Sequence, residues 1–205
     1  MRIISGDAAS LPGDMVTRVA RYRHEVFVRR LGWTLGCPDG WEYDQFDRED
    51  TVHVVALDKR TGEIRGVARL LPTTRPYLLS EVFPGLLHGL PAPASAKIWE
   101  LSRFAAVNVN ARCSTRNGQF SSRAAMVLLR ATLMCAAELG ARELVSVSPI
   151  GVQRLLNRAG FLVNGSAPVT VNGERLFACR IGALECQAHP MWFASARCRR
   201  ANGIR

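Results

Sequence analysis

Six charged residues in the first half of the chain stand among apolar and aromatic neighbours. They are Arg23, Asp44, Asp47, Arg69, Glu100 and Arg103. Each one alone is explained most simply by exposure to solvent, because charged side chains are mostly exposed. Taken together, the two aspartates, the three arginines and the nearby Trp33 and Trp41 could line one pocket for a small zwitterionic ligand.

A helix and a loop would position the first three of these residues. Apolar residues recur near one face over residues 15–31, which predicts a helix that carries Arg23. Asp14 is predicted to cap its start. Residues 32–50 are polar, aromatic and interrupted by glycine and proline, so they are predicted to form a loop that carries both aspartates.

Strands would position the other three. The pattern predicts a short first strand at 2–5 and further strands at 52–57 and 64–71. A turn at 59–62 joins the latter two, and Arg69 lies in the strand at 64–71. A proline-rich stretch follows at 72–93, with a short helical turn around Leu86. Another strand is predicted at 97–107, and it would carry Glu100 and Arg103.

The second half mixes helices with strands. Helices are predicted at 121–139, ending at Gly140, and at 151–159, closed by Gly160. Strands are predicted at 144–147, 161–164 and 176–181, with the last two around an Asn172-Gly173 turn. The mixture predicts an α/β protein: a single-domain α/β/α sandwich in which helices pack on one mixed central sheet.

The composition is compatible with one folded domain over residues 1–205. Apolar residues make up 48% of the chain, which allows a sizeable core. No apolar run approaches the roughly 20 residues that cross a bilayer, and the N-terminal sequence lacks the layout of a secretory signal. We therefore expect a cytoplasmic protein without stable membrane insertion. The six cysteines are scattered, which predicts free thiols and no metal site.

Four sequence blocks resemble, in order and spacing, those of the acyl-homoserine lactone synthase family. They are R-x-x-x-F-x-x-x-x-x-W, E-x-D-x-x-D, GVARLLPTTRPYLLSEVFP and IWELSRFAAV. Their charged and aromatic positions are Arg23, Phe27, Trp33, Glu42, Asp44, Asp47, Arg69, Phe83, Glu100, Arg103 and Phe104. The resemblance is dense over roughly the first 110 residues and continues weakly through LVSVSPIGVQRLLNRAGF.

The resemblance implies an acyltransferase of bacterial quorum sensing with two substrates. One is S-adenosylmethionine, and the other is a fatty acyl thioester, usually carried by acyl carrier protein. The methionine amine is acylated, and its carboxylate then closes onto the γ-carbon and expels methylthioadenosine. The family fold is an α/β/α sandwich similar to that of the N-acetyltransferases. Because the sulfonium is a good leaving group, we expect no metal and no cofactor.

The resemblance also implies a division of the chain. Residues 1–110 would form the S-adenosylmethionine site and catalytic half, 111–190 the acyl-chain and carrier-protein half, and 191–205 a basic tail. Residues implied to be catalytic are Glu100, Arg69, Arg103 and Asp47. Residues implied to bind S-adenosylmethionine are Arg23, Phe27, Trp33, Asp44, Asp47, Arg69, Phe83, Arg103 and Phe104. Residues implied for the acyl-chain pocket are Met126, Ser146 and Ser148. Candidates for carrier-protein docking are Arg123, Arg130, Arg142, Arg154 and Arg158.

Several roles remain open at the level of sequence. Glu100 is either the base that accepts the amine proton, directly or through water, or a structural partner of an arginine. Arg69 and Arg103 either hold the substrate carboxylate or pair with the aspartates and build the pocket wall. Aromatic and carboxylate groups suit a sulfonium cation. The serines on LVSVS favour an unsubstituted acyl chain of medium length.

Two other classes of protein compete with this interpretation. An N-acetyltransferase that uses acetyl-CoA would need a glycine-rich phosphate loop, and the corresponding residues 116–121 contain one glycine. A nucleic-acid-binding protein is suggested by the net charge of +10, but no recognition motif accompanies that charge. A basic surface is equally expected of an enzyme that docks an acidic carrier protein. We expect a monomer that binds no nucleic acid.

Overall fold

A computed structural model of the protein describes residues 1–109, 123–158, 160, 163–171 and 173–182. These residues belong to two compact units. The first comprises the described parts of Met1–Arg69 and Arg103–Ala131. The second comprises the described parts of Leu70–Ser102 and Thr132–Trp192. None of the described helices has the length and apolar character that crossing a bilayer requires.

Eight strands lie in the described residues. They are β1 (Arg2–Gly6), β2 (Val52–Leu57), β3 (Ile64–Pro72), β4 (Ile98–Ala105), β5 (Glu143–Pro149), β6 (Val163–Gly165), β7 (Val169–Val171) and β8 (Glu174–Gly182). They pair in the order β1-β2-β3-β4-β5-β8-β6, and β7 pairs with β8. β1 is antiparallel to β2, β4 is parallel to β5, and β8 is antiparallel to β5 and β6. The predicted mixed sheet is confirmed.

Most helical segments lie where helices were predicted, but not all of them are α-helical. They are α1 (Met15–Arg23), a π-helical segment (His24–Arg30), α2 (Leu78–Glu81), a 3-10 turn (Pro84–Leu87), α3 (Arg123–Glu138) and α4 (Ile150–Arg158). The helix predicted at 15–31 is thus α-helical only in its first part. Asp14 is the N-cap residue of α1, as predicted, although its side chain makes no capping hydrogen bond.

Two short elements were not predicted, and one turn joins a different pair of strands from the predicted pair. α2 and β7 contain only four and three residues, which is too few to show a hydrophobic period. The turn at Gly173 joins β7 to β8, because Val171 is the register partner of Glu174. The predicted hairpin between 161–164 and 176–181 is therefore wrong in its connection, although β6 does pair with β8.

The core of the first unit forms where α1 and the π-helical segment cover β2 and β3. Val19 and Phe27 from the helical side are buried in one cluster with Val55 and Val67 from the strands. Gly66 on β3 lets the neighbouring backbone approach closely. A Cβ at this position would lie 2.9 Å from the carbonyl oxygen of Ala105 and 3.0 Å from Leu128 Cδ2.

In the second unit, one face of β5 and β8 is buried. Ser146 and Ser148 alternate with Val147 along β5, and their register partners on β8 are Cys179 and Phe177. Alternate residues of a strand share a face, so both serines lie on the same face as these two partners. All four of these residues are buried.

Replacing Gly66 by alanine should destabilise the protein. The added methyl group would meet a backbone carbonyl, which cannot move aside as a flexible side chain can. We expect the free energy of unfolding to fall by about 1–3 kcal/mol in urea denaturation. Gly85→Ala is the matched control, because a Cβ there meets nothing within 4 Å. Equal stability of the two variants would contradict the close packing at Gly66.

Candidate active site

Three arginines and three carboxylates form one buried charge cluster in the first unit. Its members are Arg23, Glu42, Asp44, Asp47, Arg69 and Arg103. α1 supplies Arg23, β3 supplies Arg69, β4 supplies Arg103, and the loop before β2 supplies the three acids. Their side chains are between 0% and 16% exposed. The structure therefore brings together five of the predicted site residues, with Glu42 in addition.

Arg23 ties the acidic loop to the end of α1. Its Nε lies 2.5 Å from Glu42 Oε2, and its two terminal nitrogens lie 2.7 and 2.9 Å from the two oxygens of Asp47. The backbone N–H of Glu42 also donates to Ala20 O at 3.1 Å. The guanidinium thus links two carboxylates of the loop.

Arg69 makes a paired contact with Asp44. Its Nη1 and Nη2 lie 2.6 and 3.1 Å from the two carboxylate oxygens, and Nη1 also lies 3.2 Å from Asp47 Oδ1. The side chain has 0% exposure. Of the two roles open at the level of sequence, this geometry matches pairing with the aspartates.

Arg103 uses one edge of its guanidinium within the cluster. Its Nε and Nη2 lie 3.1 and 3.0 Å from Glu42 Oε1, and Nη2 lies 2.8 Å from Asp44 Oδ2. Nη1 has no hydrogen-bond partner among the described residues. The backbone of Arg103 has φ +50°, which is uncommon for a residue other than glycine. Such strain is often found at functional sites.

Two stacked aromatic rings face Arg103. The rings of Phe27 and Trp33 have centroids 4.8 Å apart and planes inclined by 23°. The Arg103 Cζ lies 5.8 Å from each ring centroid. The π-helical segment sets this stack, because it carries Phe27 and because Trp33 N–H donates to Phe27 O at 2.9 Å. π-helical turns are frequent at functional sites.

The acids of the cluster are ionised at neutral pH. Burial would raise the pKa of Glu42, but hydrogen bonds and charges from Arg23 and Arg103 outweigh it, and the pKa lies below its ordinary value. Arg69 and Arg103 lower the pKa of Asp44 in the same way, and Arg23 and Arg69 lower that of Asp47. Three positive charges therefore face three negative ones. Nearby, burial lowers the pKa of His53 to about 4, so its imidazole is neutral.

Glu100 belongs to the second unit and is fully buried on β4. Its Oε2 accepts the backbone N–H of Leu78 at 3.0 Å, and its Oε1 accepts that of Leu79 at 2.7 Å. The carboxylate thus holds the first amides of α2. Phe83, half-buried, follows that helix, and its N–H donates to Leu78 O at 3.2 Å.

The predicted acyl-pocket residues occupy different units. Met126 is half-buried on α3 in the first unit, whereas Ser146 and Ser148 are buried on β5 in the second. The Ser148 hydroxyl is hydrogen-bonded to the Cys179 thiol, whose pKa burial raises to about 12. Phe104, assigned to the S-adenosylmethionine site, is half-buried on β4.

Of the predicted docking arginines, Arg123 and Arg142 are exposed and Arg130 is half-buried. The side chains of Arg154 and Arg158 lie outside the described ones. The compared phosphate-loop residues 116–121 and the basic tail 191–205 also lie outside the described residues.

Sequence reasoning assigned no role to Glu42, although it contacts two arginines of the cluster. The sequence did contain a signal for Glu42, because it is the first position of the E-x-D-x-x-D block. An acid in a loop is ordinarily exposed, and its burial to 1% was not readable from its neighbours.

Comparison with solved structures gives close matches. TofI in a ternary complex with an inhibitor and MTA has a TM-score of 0.76 and 42% identity, covering 89% of this chain and 92% of that one. The CoA-dependent acyl-homoserine lactone synthase BjaI, solved with SAM and isopentyl-CoA, has a TM-score of 0.77 and 31% identity, covering 89% and 83%. An acyl-CoA N-acyltransferase from Pseudomonas aeruginosa, at 17% identity and a TM-score of 0.57, shares the fold. The predicted fold is confirmed.

Comparison of sequences agrees with the structural matches. The family model described as autoinducer synthase matches residues 11–185. The acyl-homoserine-lactone synthase of Acinetobacter nosocomialis is 46% identical over 182 residues, which cover 88% of this chain and 99% of that protein. Since both matches span most of its length, the chain belongs to the autoinducer synthase family and is an acyl-homoserine-lactone synthase.

Proposed function

We propose that this synthase transfers a fatty acyl group from acyl carrier protein to the amine of S-adenosylmethionine, and then closes the lactone and releases methylthioadenosine. The observation that carries the proposal is Arg103, which keeps Nη1 unused within the described residues beside the stacked Phe27 and Trp33. The similarity to BjaI, which was solved with SAM, and to TofI, which was solved with MTA, supports the same substrate.

In this proposal, Arg103 binds the carboxylate of S-adenosylmethionine through Nη1. A guanidinium donates strong charge-assisted hydrogen bonds to a carboxylate. The sulfonium would lie against the aromatic face of Trp33, since cations are attracted to such faces. Asp44 and Asp47 hold the arginines in place, and Arg69 builds the wall of the site through its paired contact with Asp44.

The proposed reaction has two steps. First, the neutral amine attacks the thioester carbon, a C–N bond forms and the C–S bond breaks. The carrier leaves as a thiolate that takes up a proton to become the thiol, and the amine proton passes to a base. Second, a carboxylate oxygen attacks the γ-carbon while the C–S bond to the sulfonium breaks, and methylthioadenosine leaves as a neutral thioether. Holding the carboxylate close to the γ-carbon favours this closure through proximity.

Glu100 is the candidate base, acting directly or through a water molecule. Its Oε2 accepts the backbone N–H of Leu78 and its Oε1 that of Leu79, and a carboxylate group can accept several hydrogen bonds. The same contacts give Glu100 a structural task, because they fix the start of α2. Its replacement is therefore expected to affect both turnover and stability.

For the acyl group, we propose an unsubstituted chain of medium length. Ser146 and Ser148 are buried hydroxyls on one face of β5, and they are the candidates to contact the acyl 3-position. The carrier proposal is supported by the net charge of +10 and by exposed arginines such as Arg123 and Arg142. The alternative donor is acyl-CoA, which is favoured by the similarity to the CoA-dependent BjaI.

Incubation with S-adenosylmethionine and a panel of acyl thioesters should give lactone and methylthioadenosine together. Each combination of chain length and 3-substituent is tested both on acyl carrier protein and on CoA. Mass spectrometry identifies the products. We expect the highest kcat/KM with an unsubstituted acyl chain of medium length carried by acyl carrier protein. A preference for acyl-CoA would contradict the carrier proposal, and mainly 3-oxo products would contradict the chain proposal. Absence of both products with every donor would contradict the function itself.

Added salt should weaken the binding of one substrate and leave that of the other nearly unchanged. An encounter between a basic enzyme and an acidic carrier protein is screened by added salt. Between about 50 and 300 mM NaCl we expect the KM for acyl carrier protein to rise severalfold, while the KM for S-adenosylmethionine stays nearly constant. Steady-state kinetics with each substrate varied in turn gives both values. A parallel rise of both KM values would contradict electrostatic docking.

Glu100→Gln should lower kcat by about 100-fold or more, because a carboxamide cannot accept the amine proton. It should also lower the free energy of unfolding, since the amide NH2 group would face a backbone N–H at Leu78 or Leu79. Measurement of kcat per folded protein, with the folded fraction taken from circular dichroism, separates these effects, because loss of a base lowers the turnover of folded enzyme, whereas instability lowers only the folded fraction. Glu143→Gln, which removes an exposed partner of Arg180, is the control. An unchanged kcat per folded protein would exclude Glu100 as the base.

A further inference from the structure

Glu42 bridges two arginines with its two carboxylate oxygens. Oε2 accepts Arg23 Nε at 2.5 Å, and Oε1 accepts Nε and Nη2 of Arg103 at 3.1 and 3.0 Å. The side chain is 1% exposed. The bridge therefore links the end of α1 to β4 within the first unit.

The bridge decides which edge of Arg103 is available. A guanidinium has donors at Nε, Nη1 and Nη2 in a fixed plane. Glu42 occupies the edge formed by Nε and Nη2, and Asp44 Oδ2 accepts from Nη2 as well. What is left is Nη1, so the contact with Glu42 sets both the plane of the guanidinium and the direction of its remaining donors.

We infer that Glu42 is a positioning residue that aims Nη1 of Arg103 at the carboxylate of S-adenosylmethionine. The inference rests on the proposed function, in which Arg103 holds that carboxylate. Glu42 does not touch the substrate in this arrangement. Its effect reaches the reaction only through the orientation of Arg103.

Two consequences distinguish this role from a merely structural one. Loss of the bridge should weaken binding of S-adenosylmethionine and leave binding of the acyl donor unchanged. It should also slow lactone closure more than acylation, because closure needs the carboxylate held near the γ-carbon. Acylated S-adenosylmethionine that has not closed would then accumulate.

Glu42→Gln tests these consequences. The carboxamide has one oxygen, so in either orientation its NH2 group faces one of the two arginines, and the lost charge weakens the bond to the other. We expect the KM for S-adenosylmethionine to rise about tenfold, as for one weakened charge-assisted bond. The KM for the acyl donor should change less than about twofold, and the ratio of unclosed product to lactone should rise. Glu63→Gln, which removes the exposed partner of Arg65, is the matched control.

A double-mutant cycle shows whether Glu42 acts through Arg103. If it does, Glu42→Gln adds little to the KM for S-adenosylmethionine once Arg103→Lys is present. The same cycle with Arg23→Lys should be closer to additive for this KM. Additivity with Arg103→Lys, or an equal rise of both KM values, would overturn the inference. If Glu42→Gln unfolds at the assay temperature, Glu42→Asp, which keeps the charge on a shorter side chain, is subjected to the same criteria.

The inference and the proposed function fail in different ways. A wild-type protein that forms neither lactone nor methylthioadenosine refutes the function. Calorimetric binding of S-adenosylmethionine needs no turnover, so the Glu42–Arg103 cycle can be read there as a change in Kd. A wild type that makes lactone, together with a Glu42→Gln protein of unchanged S-adenosylmethionine affinity and product ratio, refutes the inference alone.

Discussion

Burial of three guanidinium groups is the constraint on which the first unit depends. A charge removed from water costs several kcal/mol unless a partner of opposite sign and good geometry replaces the solvent. Arg23, Arg69 and Arg103 meet that condition because Glu42, Asp44 and Asp47 lie against them as carboxylates. Since three charges of each sign are present, removal of any one leaves an uncompensated buried charge. The loop that supplies the acids is therefore as necessary to the fold as the strands that supply the arginines.

The local structure around the cluster follows from this requirement. The loop before β2 has no regular hydrogen-bond ladder of its own, so the contacts with Arg23 and the bond from Glu42 N–H to Ala20 O hold it on α1. The π-helical segment continues α1 directly after Arg23 and carries Phe27, whose ring stacks on Trp33. A rigid aromatic wall next to a balanced set of charges suits a substrate that carries both signs. The same contacts thus stabilise the fold and shape the candidate site.

Five of the six members of the charge cluster were predictable from sequence, but the pairing within the cluster was not. Arg23, Asp44, Asp47, Arg69 and Arg103 each interrupt an apolar or aromatic segment, and motif spacing linked them. Which carboxylate meets which guanidinium depends on distances of a few ångströms between segments far apart in the chain. For that reason the role of Glu42 and the paired contact of Arg69 with Asp44 required coordinates. The π-helical segment was also hidden, since its residues have the same apolar pattern as an α-helix over so short a stretch.

The backbone conformation of Arg103 is unfavourable and needs several contacts to hold it. A left-handed backbone at a residue other than glycine costs of order 1 kcal/mol or more and persists only where the surroundings enforce it. Glu42 and Asp44 supply three hydrogen bonds that enforce it from one side. Those bonds involve Nε and Nη2, so Nη1 stays without a hydrogen-bond partner among the described residues, which is the property that a carboxylate-binding group requires.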